Sequence, residues 1–264
     1  ILKPAKEVMK TARPLRSSLL FLSLFLGYWL AGFSWVDAAC KALPMLLIAL
    51  AGFCINDIFD QEQDRINHPD RTLAKYPALS KHVTTTYVLL FAGSVFTIAL
   101  QDSSTDKFLW ALFFILLSNY NFFKRSFPAC KNVYISLAAA LPAALLDSAY
   151  DGAFSAPILY CPFILAVFAR ELACDIPDIE GDGKTLANSF GPERSWYIAT
   201  SIYVLAIMLT AIQAESLIGV VSALVGAASL ALYVCAKVVF GWSEKTLIVF
   251  SGPTVVAPVV LLIS

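Results

Sequence analysis

Apolar residues run through this chain in long blocks separated by short polar segments. A bilayer asks a helix for roughly 17–25 predominantly apolar residues. Nine stretches meet or approach that length, at about 17–35, 38–55, 83–100, 107–123, 133–149, 155–173, 195–213, 215–237 and 247–263. Backbone groups inside lipid find no water partner, so these stretches are expected to be helices. The pattern predicts an all-α membrane protein with nine transmembrane helices in one bundle, a single domain over residues 1–264.

The placement of basic residues supports that count. With nine spans, the N-terminus and every even-numbered loop share one side of the membrane. Seventeen of the 19 Lys and Arg residues then fall on that side, and only Lys41 and Lys107 on the other. By the positive-inside rule that side is cytoplasmic, with the C-terminus opposite.

Composition narrows the class further. The chain is 59% hydrophobic and 14% charged, against about a quarter charged in an ordinary soluble domain. Disordered and soluble-enzyme classes are thereby set aside. Acidic and basic residues balance at 19 each, which leaves no basic field for nucleic acid. The six cysteines form no CxxC pair and read as small buried hydrophobes. Asp102, Asp106, Asp147, Asp151 and Glu215 fall at far-side helix ends and read as solvated loop acids.

Two cytoplasmic loops, about 56–82 and 174–194, are long and acidic. The first opens Asn56-Asp57-Ile58-Phe59-Asp60 and continues to Asp64. If the preceding helix runs on, Asn56, Asp60 and Asp64 share one face at four-residue spacing, with Asp57 beside them. In the second loop Asp175, Asp178 and Asp182 share a face, although Pro177 should break the helix there. Each loop follows the second span of a four-span block, so the halves look like a weak internal repeat. Carboxylates crowded in this way call for hard cations. Mg²⁺ and Ca²⁺ are the candidates, and Mg²⁺ prefers one or two carboxylates plus phosphate oxygens. Two such clusters facing each other could hold Mg²⁺ on a diphosphate, with Arg71, Lys124 and Lys184 as phosphate donors. Tyr120 lies one turn before Lys124, where its ring could face a carbocation. His68 and His82 receive no role. A transporter is the rival class, but its charges belong near the midplane rather than at helix ends on one side.

The stretch NDIFDQEQDRINHPDR resembles the first signature of the UbiA superfamily of intramembrane prenyltransferases, and DIPDIEGDGKTL resembles the second. The Tyr-x-x-x-Lys at Tyr120 and Lys124 and the Arg13-Pro14 pair also match. The resemblance covers nearly the whole chain. It implies an enzyme that binds an isoprenyl diphosphate through Mg²⁺, ionises it and passes the prenyl group to a lipophilic, aromatic-type acceptor in the bilayer. By matching position, it implies metal-side roles for Asn56, Asp60, Asp64, Asp175, Asp178 and Asp182. It implies phosphate roles for Arg71, Lys124, Lys184 and Arg13, and a place near the cation for Tyr120. Some relatives instead cyclise the prenyl diphosphate to a terpene, which is the alternative outcome. One departure stands out. Relatives usually continue the first motif with Arg-Pro-Leu-Pro, and here the chain reads Arg71-Thr72-Leu73-Ala74-Lys75-Tyr76-Pro77.

Overall fold

The computed structural model describes residues 2–151, 160–213 and 217–240. Among these residues every regular element is helical. The chain divides into two compact units, Ile1–Asn121 and Phe122–Ser264.

The first unit begins with the short helices and spans α1 (Leu2–Thr11), α2 (Pro14–Leu30) and α3 (Trp35–Phe59). The first acidic loop follows as α4 (Gln61–Asn67) and α5 (Thr72–Lys75), and then come α6 (Ser80–Ala99) and α7 (Ser104–Ser126). Two contacts fix the directions of the long helices. Lys41 near the start of α3 meets Asp106 near the start of α7 at 2.7 Å. Gln101, just past the end of α6, donates to the Cys40 carbonyl. Thus α3 and α7 run parallel and α6 runs against both. A core of Val8, Ala12, Cys54, Leu73 and Val83 ties α1, α3, α5 and α6 together. That cluster anchors the acidic loop to the helix it follows.

The second unit holds α8 (Lys131–Asp151), α9 (Cys161–Asp175), α10 (Leu186–Phe190), α11 (Pro192–Gln213) and α12 (Leu217–Phe240). Ala166, Ala169, Tyr203, Ala206 and Leu230 form one core cluster. Leu172, Ala173, Ala187 and Ala199 form another. The alanines let the backbones approach closely, as membrane helices do in place of large side chains. Thr185 caps α10 reciprocally with Asn188, a capping box that fixes the end of the second acidic loop.

Eight of the nine expected stretches contain a described helix. The ninth, 247–263, lies outside the described residues, as do the starts of the sixth and the eighth. Among the described residues, four segments are long and apolar enough to cross a bilayer: Trp35–Phe59, Pro77–Ala99, Pro128–Leu146 and Pro192–Gln213. Leu15, Leu30, Leu89, Phe96, Phe108 and Ile212 are among the many large apolar side chains left outside the core. In water such a surface would be a liability; in lipid it is the expected exterior.

Two expectations need correction. Asp106 is buried against Lys41 rather than solvated, because an ion pair formed at the helix starts removes both charges from the apolar surround. Cys40, Cys130 and Cys235 are exposed, while Cys54 alone among the six is fully buried. On an apolar exterior a thiol needs no burial in protein.

Candidate active site

The first acidic motif forms at the end of α3. That helix stops at Phe59, and Asp60 both closes it and opens α4. Backbone bonds still pass from Asp60 N–H to the Asn56 carbonyl at 2.8 Å and from Asp64 N–H to the Asp60 carbonyl at 2.7 Å. The expected single helix is therefore interrupted at Asp60 only as a corner, and the four-residue hydrogen-bond rhythm continues through it. Asn56 and Asp60 are half-buried, while Asp57 and Asp64 are buried.

Each buried acid in this motif has its own guanidinium. Arg13 Nη2 donates to Asp57 Oδ1 at 2.8 Å, and its charged group lies 4.8 Å from the Phe53 ring centre. Arg71 Nη1 donates to Asp64 Oδ1 at 2.6 Å. Burial pushes the Asp64 carboxyl above its ordinary value, although Arg71 pulls the other way. Arg13 sits at φ 47° and ψ 59°, a left-handed backbone uncommon for a residue with a side chain. Among the described residues it is the only non-glycine with positive φ, and it lies at the junction of α1 and α2 where its side chain reaches Asp57. Arg71 is held by the departure noted above: Thr72–Lys75 fold into α5, Leu73 enters the core, and Thr72 Oγ1 donates to the Glu7 carbonyl at 3.2 Å.

The second motif forms at the end of α9. Pro177 breaks the helix as expected, and Ile176–Asp178 tighten into a 3₁₀ turn. Asp182 N–H then bonds back to the Asp178 carbonyl at 2.9 Å. Asp175 and Asp182 converge on one cation. Lys131, only 5% exposed, places Nζ 2.8 Å from Asp175 Oδ1 and 3.0 Å from Asp182 Oδ2. Asn132 Nδ2 donates to Asp175 Oδ2 at 3.0 Å. Burial raises the Asp175 carboxyl to about 6 against the attraction of Lys131.

Lys131 and Asn132 are the functional candidates that sequence reasoning missed. Lys131 had counted only toward charge sidedness. A Lys-Asn pair opening an apolar helix was the available signal, but it looks the same as an interfacial anchor. Of the expected phosphate donors, Arg13 and Arg71 are brought onto the first motif. Lys184 is exposed, and Tyr120 and Lys124 are half-buried on one face of α7.

The donor set suits magnesium. Both motifs offer hard carboxylate and amide oxygens, the donors that magnesium prefers. Among the described residues no group of three or more His, Cys, Asp or Glu side chains could hold a metal unaided. Mg²⁺ needs no such cage, because phosphate and water oxygens complete its shell.

Residues 20–250 match the UbiA prenyltransferase family. The chain is 33% identical over 193 residues to a digeranylgeranylglyceryl phosphate synthase of Sulfolobus acidocaldarius, covering 69% of this chain and 68% of that one. A protein of the same name from Thermococcus gammatolerans is 27% identical over 250 residues, covering 91% and 90%. The apo structure of a UbiA homolog from Aeropyrum pernix K1 shares the fold, with a TM-score of 0.72, 19% identity, and coverage of 94% and 96%. With two acidic motifs at helix ends and a family match over most of its length, this chain belongs to the UbiA prenyltransferase family and is an integral membrane protein.

Proposed function

We propose that this chain is a Mg²⁺-dependent intramembrane prenyltransferase that ionises an isoprenyl diphosphate, releases diphosphate and transfers the prenyl group to a lipophilic acceptor. The observation that carries the reading is the set of buried, cation-paired carboxylates at the ends of α3 and α9. The relatives' product name describes a glyceryl phosphate bearing two geranylgeranyl chains. That name favours geranylgeranyl diphosphate as donor, and a glyceryl phosphate lipid already carrying one chain as acceptor, over the aromatic acceptor expected from sequence.

Asn56, Asp57, Asp60 and Asp64 of the first motif, and Asp175, Asp178 and Asp182 of the second, would hold magnesium. Magnesium would supply charge stabilisation for the departing diphosphate. Arg13 and Arg71 pair with Asp57 and Asp64 and orient them. Each guanidinium has five N–H donors, so each retains donors for phosphate oxygens. Lys131 performs the holding task for Asp175 and Asp182. Lys124 and Lys184 add positive charge for the diphosphate. The Tyr120 ring offers its negative face to the allylic cation left behind, and the apolar walls of the helices keep water from capturing it.

The test is an incubation of the purified protein in detergent with Mg²⁺ and geranylgeranyl diphosphate, with and without geranylgeranylglyceryl phosphate. Diphosphate release should require both metal and acceptor, and Asp60→Ala and Asp175→Ala should each abolish it. A cyclic hydrocarbon formed without acceptor, or normal turnover in either variant, would overturn the reading.

A further inference from the structure

α9 carries two charges that neither motif uses. Arg170 and Glu171 lie inside this helix, after the apolar run 163–169 and before the motif at its end. Arg170 Nη1 donates to Glu171 Oε1. Adjacent helical positions do not face each other, so the two side chains bend together across the helix surface. Their neighbours Ala169, Leu172 and Ala173 are buried, whereas the Arg170 and Glu171 side chains are 32% and 23% exposed. Ionisable side chains at membrane depth turn from lipid toward the bundle interior or a cavity, and they mark substrate pathways. The partial exposure of this pair therefore marks an opening in the helix packing. A pair that only cancelled itself could be replaced by two leucines at little or no loss.

Glu171 stands one turn before Asp175 on the same face of α9, about 6 Å further along the helix from the motif. The two carboxylates feel each other, Glu171 being one of the charges that raise Asp175. The packing of α9 on α11 sets a third polar group at this depth. Ala199 shares a core cluster with Leu172 and Ala173, and Tyr203 shares one with Ala166 and Ala169. Thr200 is thereby level with Glu171. Its Oγ1 is buried and has no hydrogen-bond partner. A helical threonine ordinarily bonds the carbonyl three or four residues back, and most buried polar atoms are satisfied. Three polar side chains thus meet at one level of an otherwise apolar stretch.

We propose that Arg170 and Glu171 seat the headgroup of the acceptor: the guanidinium holds its phosphate, and the carboxylate takes the proton of its hydroxyl. This rests on the prenyltransferase reading. On that reading the diphosphate lies at the motif end of α9, and the carbon it leaves lies just inside, at the depth of Glu171. Arg170 spends one N–H on Glu171 and keeps the others for phosphate oxygens. Glycerol is short, so in a singly alkylated glyceryl phosphate the one free hydroxyl lies close to the phosphate, and two neighbouring side chains can hold both. In the transfer step the bond from the prenyl carbon to diphosphate breaks, and its electron pair leaves on diphosphate. The acceptor oxygen bonds that carbon, and the hydroxyl proton passes to Glu171. Thr200 offers a further hydroxyl at the same depth.

The experiment compares two acceptors, geranylgeranylglyceryl phosphate and geranylgeranylglycerol, with the full chain, Mg²⁺ and geranylgeranyl diphosphate, and follows ether formation. Wild type should favour the phosphate-bearing acceptor in kcat/KM. Arg170→Met should lower that preference by about tenfold or more, as loss of a hydrogen bond to a charged group does, with KM for the diphosphate unmoved. Arg170→Lys keeps the charge without the fork and should lower the preference by less; it decides the matter if the methionine variant does not fold. Glu171→Gln should lower kcat on both acceptors by about 10²- to 10⁴-fold, the range of a positioned general base. Glu171→Asp draws the carboxylate back and should lose less; it decides the matter if the glutamine variant does not fold. A thiol in place of the acceptor hydroxyl ionises far more readily and should recover part of the loss, a rescue that a packing role would not give. An active wild type indifferent to the acceptor phosphate, a preference that survives the Arg170 variants, or a kcat that survives the Glu171 variants overturns this inference alone. A wild type that makes no ether with either acceptor overturns the prenyltransferase reading, and the inference with it.

Discussion

The two acidic motifs solve one electrostatic problem in different ways. In the first unit each buried acid has a separate arginine, Arg13 for Asp57 and Arg71 for Asp64, and both guanidinium groups keep partial contact with the outside. In the second unit a single lysine, itself buried, serves both Asp175 and Asp182. The first arrangement divides the load, so losing one cation uncovers one acid. The second concentrates it, so losing one cation uncovers two. An ammonium is a compact charge able to sit between two carboxylates, whereas a guanidinium is a planar fork that matches one carboxylate edge and keeps further N–H donors free to face elsewhere.

The largest effect should therefore come from Lys131→Met. Removing one partner of a buried pair costs about 3–5 kcal/mol, and here two acids lose their partner. Thermal unfolding in detergent should show this loss, and the comparison breaks if the variant is as stable as wild type. The effect should also depend on pH. Asp175 ionises near 6 in the folded chain, above its ordinary 3.8, so between those values the folded state holds a proton that the unfolded state has released. Stability contributed by this group thus falls as pH rises through that window. Without Lys131 the Asp175 carboxyl should move higher still, and the fall should extend to higher pH.

A smaller effect is expected from Arg71→Met, because its side chain is 31% exposed and water can partly rescue Asp64. The loss should be about 1–2 kcal/mol, between the exposed and buried limits. A loss equal to that of Lys131→Met would erase the distinction between the motifs. A double-mutant cycle sharpens it: once Asp57→Asn is in place, Arg13→Met should destabilise less than it does alone, since the ion pair is already gone. The smallest effect should be that of Tyr120→Leu. It should slow diphosphate release by about 2- to 30-fold, the worth of a cation over an aromatic face, while leaving unfolding unchanged. An unaltered rate would make Tyr120 a packing residue.

Much of this was legible in the chain. The apolar blocks located eight of the described helices because burial in lipid demands length and hydrophobicity, which are properties of contiguous sequence. Pro177 announced the break after α9 because its ring acts on its own neighbours. The acidic motifs were visible as spacing. What spacing could not reveal was which cation each acid would meet. Lys131 lies 44 residues before Asp175 and 51 before Asp182, and only the packing of α8 against α9 brings them together. Asp106 was misjudged for the same reason, its partner lying on another helix.

The Lys41–Asp106 pair bears on how the protein is made. Synthesis proceeds from the N-terminus, so Lys41 leaves the ribosome well before Asp106. An unpaired ammonium is costly within hydrocarbon, so α3 is best accommodated with Lys41 still at the hydrated edge of the bilayer. When α7 arrives, the carboxylate lets both groups leave water together, and the two parallel helices lock in one register. A nascent chain stopped short of residue 106 would lack that lock, and its half of the site would assemble only when translation resumed.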